Sequence, residues 1–203
     1  MKAAKPLLSG VSPAVGGIQA PPPGERLFFA VFPDADTAAD ISRLAQALRR
    51  EHALRGKPAR SERLHVTLHF LGEHAGLPQA LIISAKQSAD RVEASAFEVK
   101  FDRVSSFSGR TRKHPLVLRG DAGLQCLFAF QRQIGERLAA AGLGRFLDQP
   151  FIPHLTLLYD EQVLTSRPTE PVTWMVREFL LVHSVPARGE QQVLGRWPLR
   201  TAA

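Results

Sequence analysis

The chain has 203 residues, of which 44% are hydrophobic, and carries a formal charge of +7 at pH 7. That length suits one sizeable domain or two small lobes sharing a core, and no long uncharged apolar run marks a membrane span, so no membrane partner is expected. A pI near 10.3 favours a polyanionic partner instead, for which nucleic acid is the natural candidate.

Residues 1–25 stand apart from the rest. Lys2 and Lys5 precede an apolar stretch, but Pro6, Gly10, Pro13, Gly16 and Gly17 interrupt it before a signal-peptide core can form, and Pro21-Pro22-Pro23-Gly24 reads as a linker. The expectation is a disordered extension, or the product of a start codon assigned too early, ahead of a single domain over residues 26–203. Residues 27–32 read as a buried strand ended by Pro33-Asp34. Ile41, Leu44, Ala45 and Leu48 then mark one face of a helix capped near Asp36 or Thr37. A strand over residues 64–71 follows and closes at Gly72; a second helix covers about 77–92, and Phe97 to Phe101 alternates as a half-exposed strand. Residues 105–114 form a basic loop, and 116–118 a strand. A helix over 124–141 ends at Gly142, a strand spans 151–159, and two late strands lie near 173–183 and 191–198. The lone cysteine, Cys126, excludes an intrachain disulfide and fits a reducing cytoplasm; within the apolar run 124–130 it reads as a buried small hydrophobe rather than a nucleophile. Because strands and helices mix without strict β-α-β alternation, the expected fold class is α+β with mainly antiparallel sheets, in two lobes facing across a cleft.

The most informative feature is a repeat. His65-Val66-Thr67-Leu68 and His154-Leu155-Thr156-Leu157 share the pattern His-apolar-Thr-apolar, once in each half. With a strand period of two, His65 and Thr67 project from one face and Val66 and Leu68 from the other; His154 and Thr156 do the same in their strand. Same-face neighbours stand roughly 7 Å apart, so an imidazole and a hydroxyl can grip one phosphate between them. In-line cleavage of a phosphodiester needs one group to take a proton from the attacking oxygen and another to give one to the leaving oxygen. Histidine titrates closest to neutrality, so two of them can do this without a metal. A single His-x-Thr in a strand is weak evidence, since Thr is a good strand former and a half-buried His is usually structural; the pair is much stronger.

Other residues invite competing readings. His69, on the same strand face as His65 if the alternation continues, lies about 13 Å along the strand from it, too far to share a zinc ion, and reads as partly exposed structure. His183 reads as structural, and His52, His74 and His114 as solvated surface. Arg110-Thr111-Arg112-Lys113 beside Phe107 offers a charge run and a ring that suit an RNA backbone and a base, while Tyr159 and Trp174 read first as core or rim packing.

These residues resemble the two-histidine phosphoesterases, specifically the bacterial RNA 2′,3′-cyclic phosphodiesterases also called LigT-like 2′-5′ RNA ligases. The likeness runs from Arg26 to Arg200 through Arg26-Leu27-Phe28-Phe29-Ala30, Leu64-His65-Val66-Thr67-Leu68, Phe70-Leu71-Gly72, Pro153-His154-Leu155-Thr156-Leu157 and Arg196-Trp197-Pro198-Leu199. It implies a bilobal fold of two pseudo-symmetric α+β lobes around a central cleft. It also implies roles: His65 as proton donor to the leaving oxygen, His154 as the base activating water, and Thr67 and Thr156 as holders of the phosphoryl oxygens. The implied reaction opens a terminal 2′,3′-cyclic phosphate on RNA to a 2′-phosphate, with 2′-5′ joining of tRNA halves as a further activity. No cofactor and no metal are implied, the partner is an RNA or oligonucleotide with a cyclic phosphate end, and a monomer is expected. A 2′-5′ oligonucleotide or small cyclic nucleotide phosphate is the alternative substrate, and a nucleotide- or RNA-binding module without turnover the alternative function. The chain departs from many relatives at Ile152, where they carry Arg, and at Leu158-Tyr159, where they carry Ala-Arg. Substrate contacts, more than catalysis, are what these departures touch.

Overall fold

In a computed structural model, residues 24–108, 112–147 and 150–201 are described, so most of the expected extension lies outside the described residues. Among the described residues, eight strands and three α-helices follow in the order β1 Glu25–Val31, α1 Ala35–Glu51, β2 Val66–His74, α2 Gln79–Ala89, β3 Phe97–Ser106, β4 His114–Arg119, α3 Gln125–Ala140, β5 His154–Asp160, β6 Arg167–Val176, β7 Glu178–Val185 and β8 Glu190–Pro198. The strands make two four-stranded sheets, ordered β2-β1-β7-β8 and β5-β4-β3-β6, with every strand pairing antiparallel. The expected α+β class holds. The second sheet is built from one unbroken stretch of chain, whereas the first combines strands from both ends.

Helix α1 starts earlier than the apolar periodicity implied. Asp34, read as part of the turn, is its cap: its carboxylate accepts from the Thr37 backbone N–H at 2.8 Å, satisfying an otherwise orphaned donor. Helix α3 ends before Gly142, which takes φ +76, a left-handed conformation that costs glycine little. Two expectations fail for identifiable reasons. Residues 173–183 are not one strand but parts of β6 and β7, which belong to different sheets and are separated by Arg177; both flanks are rich in strand formers, so the change of sheet leaves no gap in the pattern. Cys126 is exposed, not buried, because Leu127, Phe130, Ile134 and Leu138 define the inward stripe of α3 and Cys126 falls off it.

One core serves both lobes. Leu27, Phe29 and Val31 of β1, Ile41 and Leu48 of α1, Val66 and Leu68 of β2, Phe101 of β3, Leu116 and Leu118 of β4, Ile134 of α3 and Leu155 and Leu157 of β5 join a single buried cluster. A second, small cluster of Phe28, Ala30, Leu180 and Val182 lies on the other face of the first sheet, with Phe32 packed against it. This is the face that carries the first histidine.

Candidate active site

The second motif lies wholly on β5, the first lies on β2 except for His65, which immediately precedes the strand, and both are interrupted at the same place. In β2, Ala30 pairs with Thr67 and Phe29 with His69, so Leu68 is an extra residue in the ladder. In β5, Val117 pairs with Thr156 and Leu116 with Leu158, so Leu157 is extra. A β-bulge of this kind shifts the facing of everything beyond it by one residue. His65 and Thr67 therefore face the cleft, but His69 does not share their face. It turns inward, is 6% exposed, and its Nε2–H donates to the Gln131 carbonyl of α3 at 2.8 Å. The expectation of a partly exposed residue on the His65 face is overturned, because a bulge has no signature in residue-type alternation.

The structure brings His65, Thr67, His154 and Thr156 together in one cleft of about 750 Å³, whose walls include Phe28, Lys57, Arg63, Phe70 and Tyr159. Each imidazole is anchored alike. His65 Nδ1 lies 2.7 Å from the Arg63 carbonyl and His154 Nδ1 lies 2.7 Å from the Ile152 carbonyl, in both cases two residues back. A carbonyl can only accept, so Nδ1 carries the proton and Nε2 is left as the atom that gains or loses one. Burial lowers the proton affinity of both rings. For His65 the carbonyl bond opposes this, while the charges of His154 and Arg63 add to it; for His154 the carbonyl bond again opposes, and the Arg119 guanidinium adds to it. His65 thus feels the charge of His154 across the cleft.

Their surroundings differ. His65 stacks on Phe28 with ring centroids 5.0 Å apart and meets Phe32 at 5.5 Å, an apolar slot that fixes its plane. His154 meets the edge of Phe107 at 4.9 Å, and Arg119, its cross-strand partner in β4, holds its guanidinium 5.4 Å from the same ring. Phe107 is therefore engaged in supporting His154. Arg110 and Thr111 lie outside the described residues, and Arg112 pairs with Glu161 at 3.0 Å. Ser105, Ser106 and His114, expected in the basic loop, belong to β3 and β4. His183 is buried against Glu25 at 2.8 Å, Trp174 is core and stacks on Phe101 at 5.1 Å, and His52, His74 and His114 are half-buried rather than fully solvated.

One wall of the cleft is a loop between α1 and β2. The Arg55 and Gly56 N–H groups donate to the Asp160 carboxylate at 2.6 Å each, and the Ala59 N–H donates to the Leu157 carbonyl at 2.7 Å. Gly56 is required there, since a Cβ would sit 2.2 Å from the Tyr159 carbonyl oxygen. These contacts tie a first-lobe loop to the second motif strand and set Lys57 in the cleft wall. Residue-type reasoning missed Arg119, Phe28 and Lys57, because only strand register and loop docking bring them to the histidines.

A family model for LigT-like phosphoesterases matches residues 31–117. The RNA 2′,3′-cyclic phosphodiesterase of Escherichia coli (strain K12) is 31% identical over 182 residues, covering 86% of this chain and 97% of its own. Among solved structures, E. coli LigT in apo form superposes with a TM-score of 0.70 at 28% identity, over 87% of this chain and 98% of that one. E. coli LigT complexed with 3′-AMP gives 0.65 at 28% identity, over 87% and 98% respectively.

Proposed function

The chain belongs to the LigT-like phosphoesterases, and on that footing we propose that it is an RNA 2′,3′-cyclic phosphodiesterase that opens a terminal cyclic phosphate to a 2′-phosphate by two-histidine acid–base catalysis. The observation that carries this reading is the matched anchoring of His65 and His154, each with Nδ1 tied to a carbonyl and Nε2 left to titrate at one cleft. Neutral His154 takes a proton from water at Nε2, and the water oxygen attacks phosphorus opposite O3′. The P–O3′ bond breaks as protonated His65 delivers its Nε2 proton to O3′, leaving a 2′-phosphate and a free 3′-hydroxyl. Thr67 and Thr156 hold the non-bridging oxygens, and solvent exchange resets the two rings.

The division of labour is the one that the family resemblance implies. The Arg119 guanidinium beside His154 favours its neutral form, the form a base needs; Arg63 acts in the same sense on His65, whose role as the acid rests on the family resemblance. Arg119 also offers a positive charge on the second lobe, where many relatives carry arginines that Ile152 and Tyr159 replace here. The two histidines supply both proton transfers, so the mechanism calls for no metal. With a 5′-hydroxyl in place of water, the same displacement joins two RNA ends through a 2′-5′ linkage, and tRNA halves have the required termini. The protein acts as a monomer on RNA ends in the cytoplasm; among the described residues no helix is long and apolar enough to cross a membrane. The test is turnover of an oligonucleotide ending in a 2′,3′-cyclic phosphate, with the product identified by phosphorus NMR. A 2′-phosphate is expected. Binding without turnover would leave a nucleotide-binding module, and a 3′-phosphate would reverse the roles given to the two histidines.

A further inference from the structure

Residues 65–71 and 154–160 run through the same sequence of environments: half-buried His, buried apolar, half-buried Thr, two buried residues across the bulge, one exposed residue, one buried. The exposed position is Phe70 in one run and Tyr159 in the other, at 44% and 54% exposure, and both line the cleft. Without the bulges at Leu68 and Leu157 the strand period would turn these two rings away from the histidines; with them, Phe70 falls opposite Phe28 and Tyr159 opposite Pro115, on the cleft face. A lone exposed aromatic is unremarkable. Two at equivalent positions, each re-aimed by its own bulge into one cleft, point to a ligand with flat faces.

The rest of the wall defines that ligand further. Lys57 and Arg63 stand in the same cleft, beside an Arg26–Glu73 ion pair, so an apolar small molecule fits poorly and a polyanion with aromatic rings fits well. Counting the bulge as one step, each ring lies two strand steps, about 7 Å, beyond its motif threonine, comparable to the span from a phosphate to the base of the same nucleotide. Each ring stands beside a stiff neighbour, Phe28 or Pro115, which limits the entropy lost on stacking. We propose that Phe70 and Tyr159 are a matched pair of nucleobase-stacking platforms, one on each lobe, that seat the terminal and penultimate bases of the RNA end. This rests on the phosphodiesterase reading of the cleft. Recognition by ring faces alone is indifferent to base identity, so the site accepts any terminal nucleotide.

The experiment compares the unaltered full chain with Phe70→Leu, Tyr159→Leu and the ring-preserving Tyr159→Phe. Kinetics use an oligonucleotide ended by a 2′,3′-cyclic phosphate and, as a base-free control, the 2′,3′-cyclic phosphate of 1-O-methylribose. A second readout, independent of turnover, is quenching of 2-aminopurine placed as the terminal or penultimate base. Each Leu variant is expected to lose roughly 5- to 150-fold in kcat/KM on the oligonucleotide, carried by KM, with Tyr159→Phe close to the unaltered protein and all four equal on the base-free control. Each Leu variant should also abolish quenching of one 2-aminopurine position. Equal losses on the base-free control, quenching that survives both Leu substitutions, or no quenching by the unaltered protein would overturn the proposal. Ring-dependent quenching without turnover would instead sink the phosphodiesterase reading and leave the platforms standing.

Discussion

Replacing Asp160 tests whether the loop that walls the cleft is held by one buried carboxylate. Asp160 is 6% exposed and accepts from the backbone N–H groups of Arg55 and Gly56 at 2.6 Å and of Gln162 at 3.0 Å. A hydrogen bond to a charged group contributes about 1.5–3 kcal/mol, and three sharing one carboxylate contribute less than their sum. Asp160→Ala leaves three donors without an acceptor, so a loss of about 3–5 kcal/mol is expected from a total of roughly 5–15. At about 2–4 °C per kcal/mol for a chain of this size, the melting temperature should fall by about 10 °C. Burial pushes the Asp160 carboxyl pKa up, but the N–H groups of Gln162, Gly56 and Arg55 outweigh it and hold the pKa below 3.8. A depressed folded-state pKa means the stabilisation is complete above the unfolded value and is lost as pH falls through the folded one. Urea denaturation of wild type, Asp160→Ala and Asp160→Asn should therefore show a wide gap at neutral pH that narrows in acid. Lys57 rides on this loop, so KM for an RNA end should rise as well. A gap under about 1 kcal/mol at neutral pH, or one that widens on acidification, would refute the account.

The histidines should act as a unit: His65→Ala and His154→Ala each lower turnover at least about 10²-fold, and the double variant falls well short of the product, as steady-state kinetics can show. Near wild-type turnover in either would remove that residue from the mechanism. Arg119→Gln should move the acidic limb of the pH–rate profile to higher pH, because losing the cation raises the proton affinity of a base that must be neutral to act; a limb that stays put or moves down contradicts the pairing. Activity should survive exhaustive EDTA treatment, and rescue by a divalent ion after loss would establish a metal requirement. Gly56→Ala should destabilise the loop as severely as Asp160→Ala, since its Cβ meets backbone at 2.2 Å; an unchanged melting temperature would show that the loop gives way freely.

The repeat made the catalytic pair legible, because a two-residue period and a duplicated tetrapeptide survive in residue types alone. Its limits were the bulges. Nothing in Leu68 or Leu157 announces an extra residue, so simple alternation carries His69 onto the wrong face and hides the placement of Phe70 and Tyr159. Arg119 was invisible for a different reason: it lies 35 residues from His154 in sequence and reaches it only through strand register. Tertiary choices with no local cost, such as the change of sheet at Arg177 or the outward turn of Cys126, left no trace in composition.

The topology also bears on synthesis. The first sheet pairs β1 with β7, so Phe28 waits about 150 residues for Val182, while the whole second sheet lies in between as one continuous stretch. At about 5–20 residues per second, a ribosome takes roughly 8–30 s to deliver that partner. During this interval β1 and β2 can form a hairpin that is open along one edge, with Phe28 and Ala30 uncovered by Leu180 and Val182. The second sheet, with His154, can be complete by then, but the slot that orients His65 closes only when the last strands arrive. Nascent chains stalled before β7 should thus hold a folded second lobe and an inactive, chaperone-dependent first one.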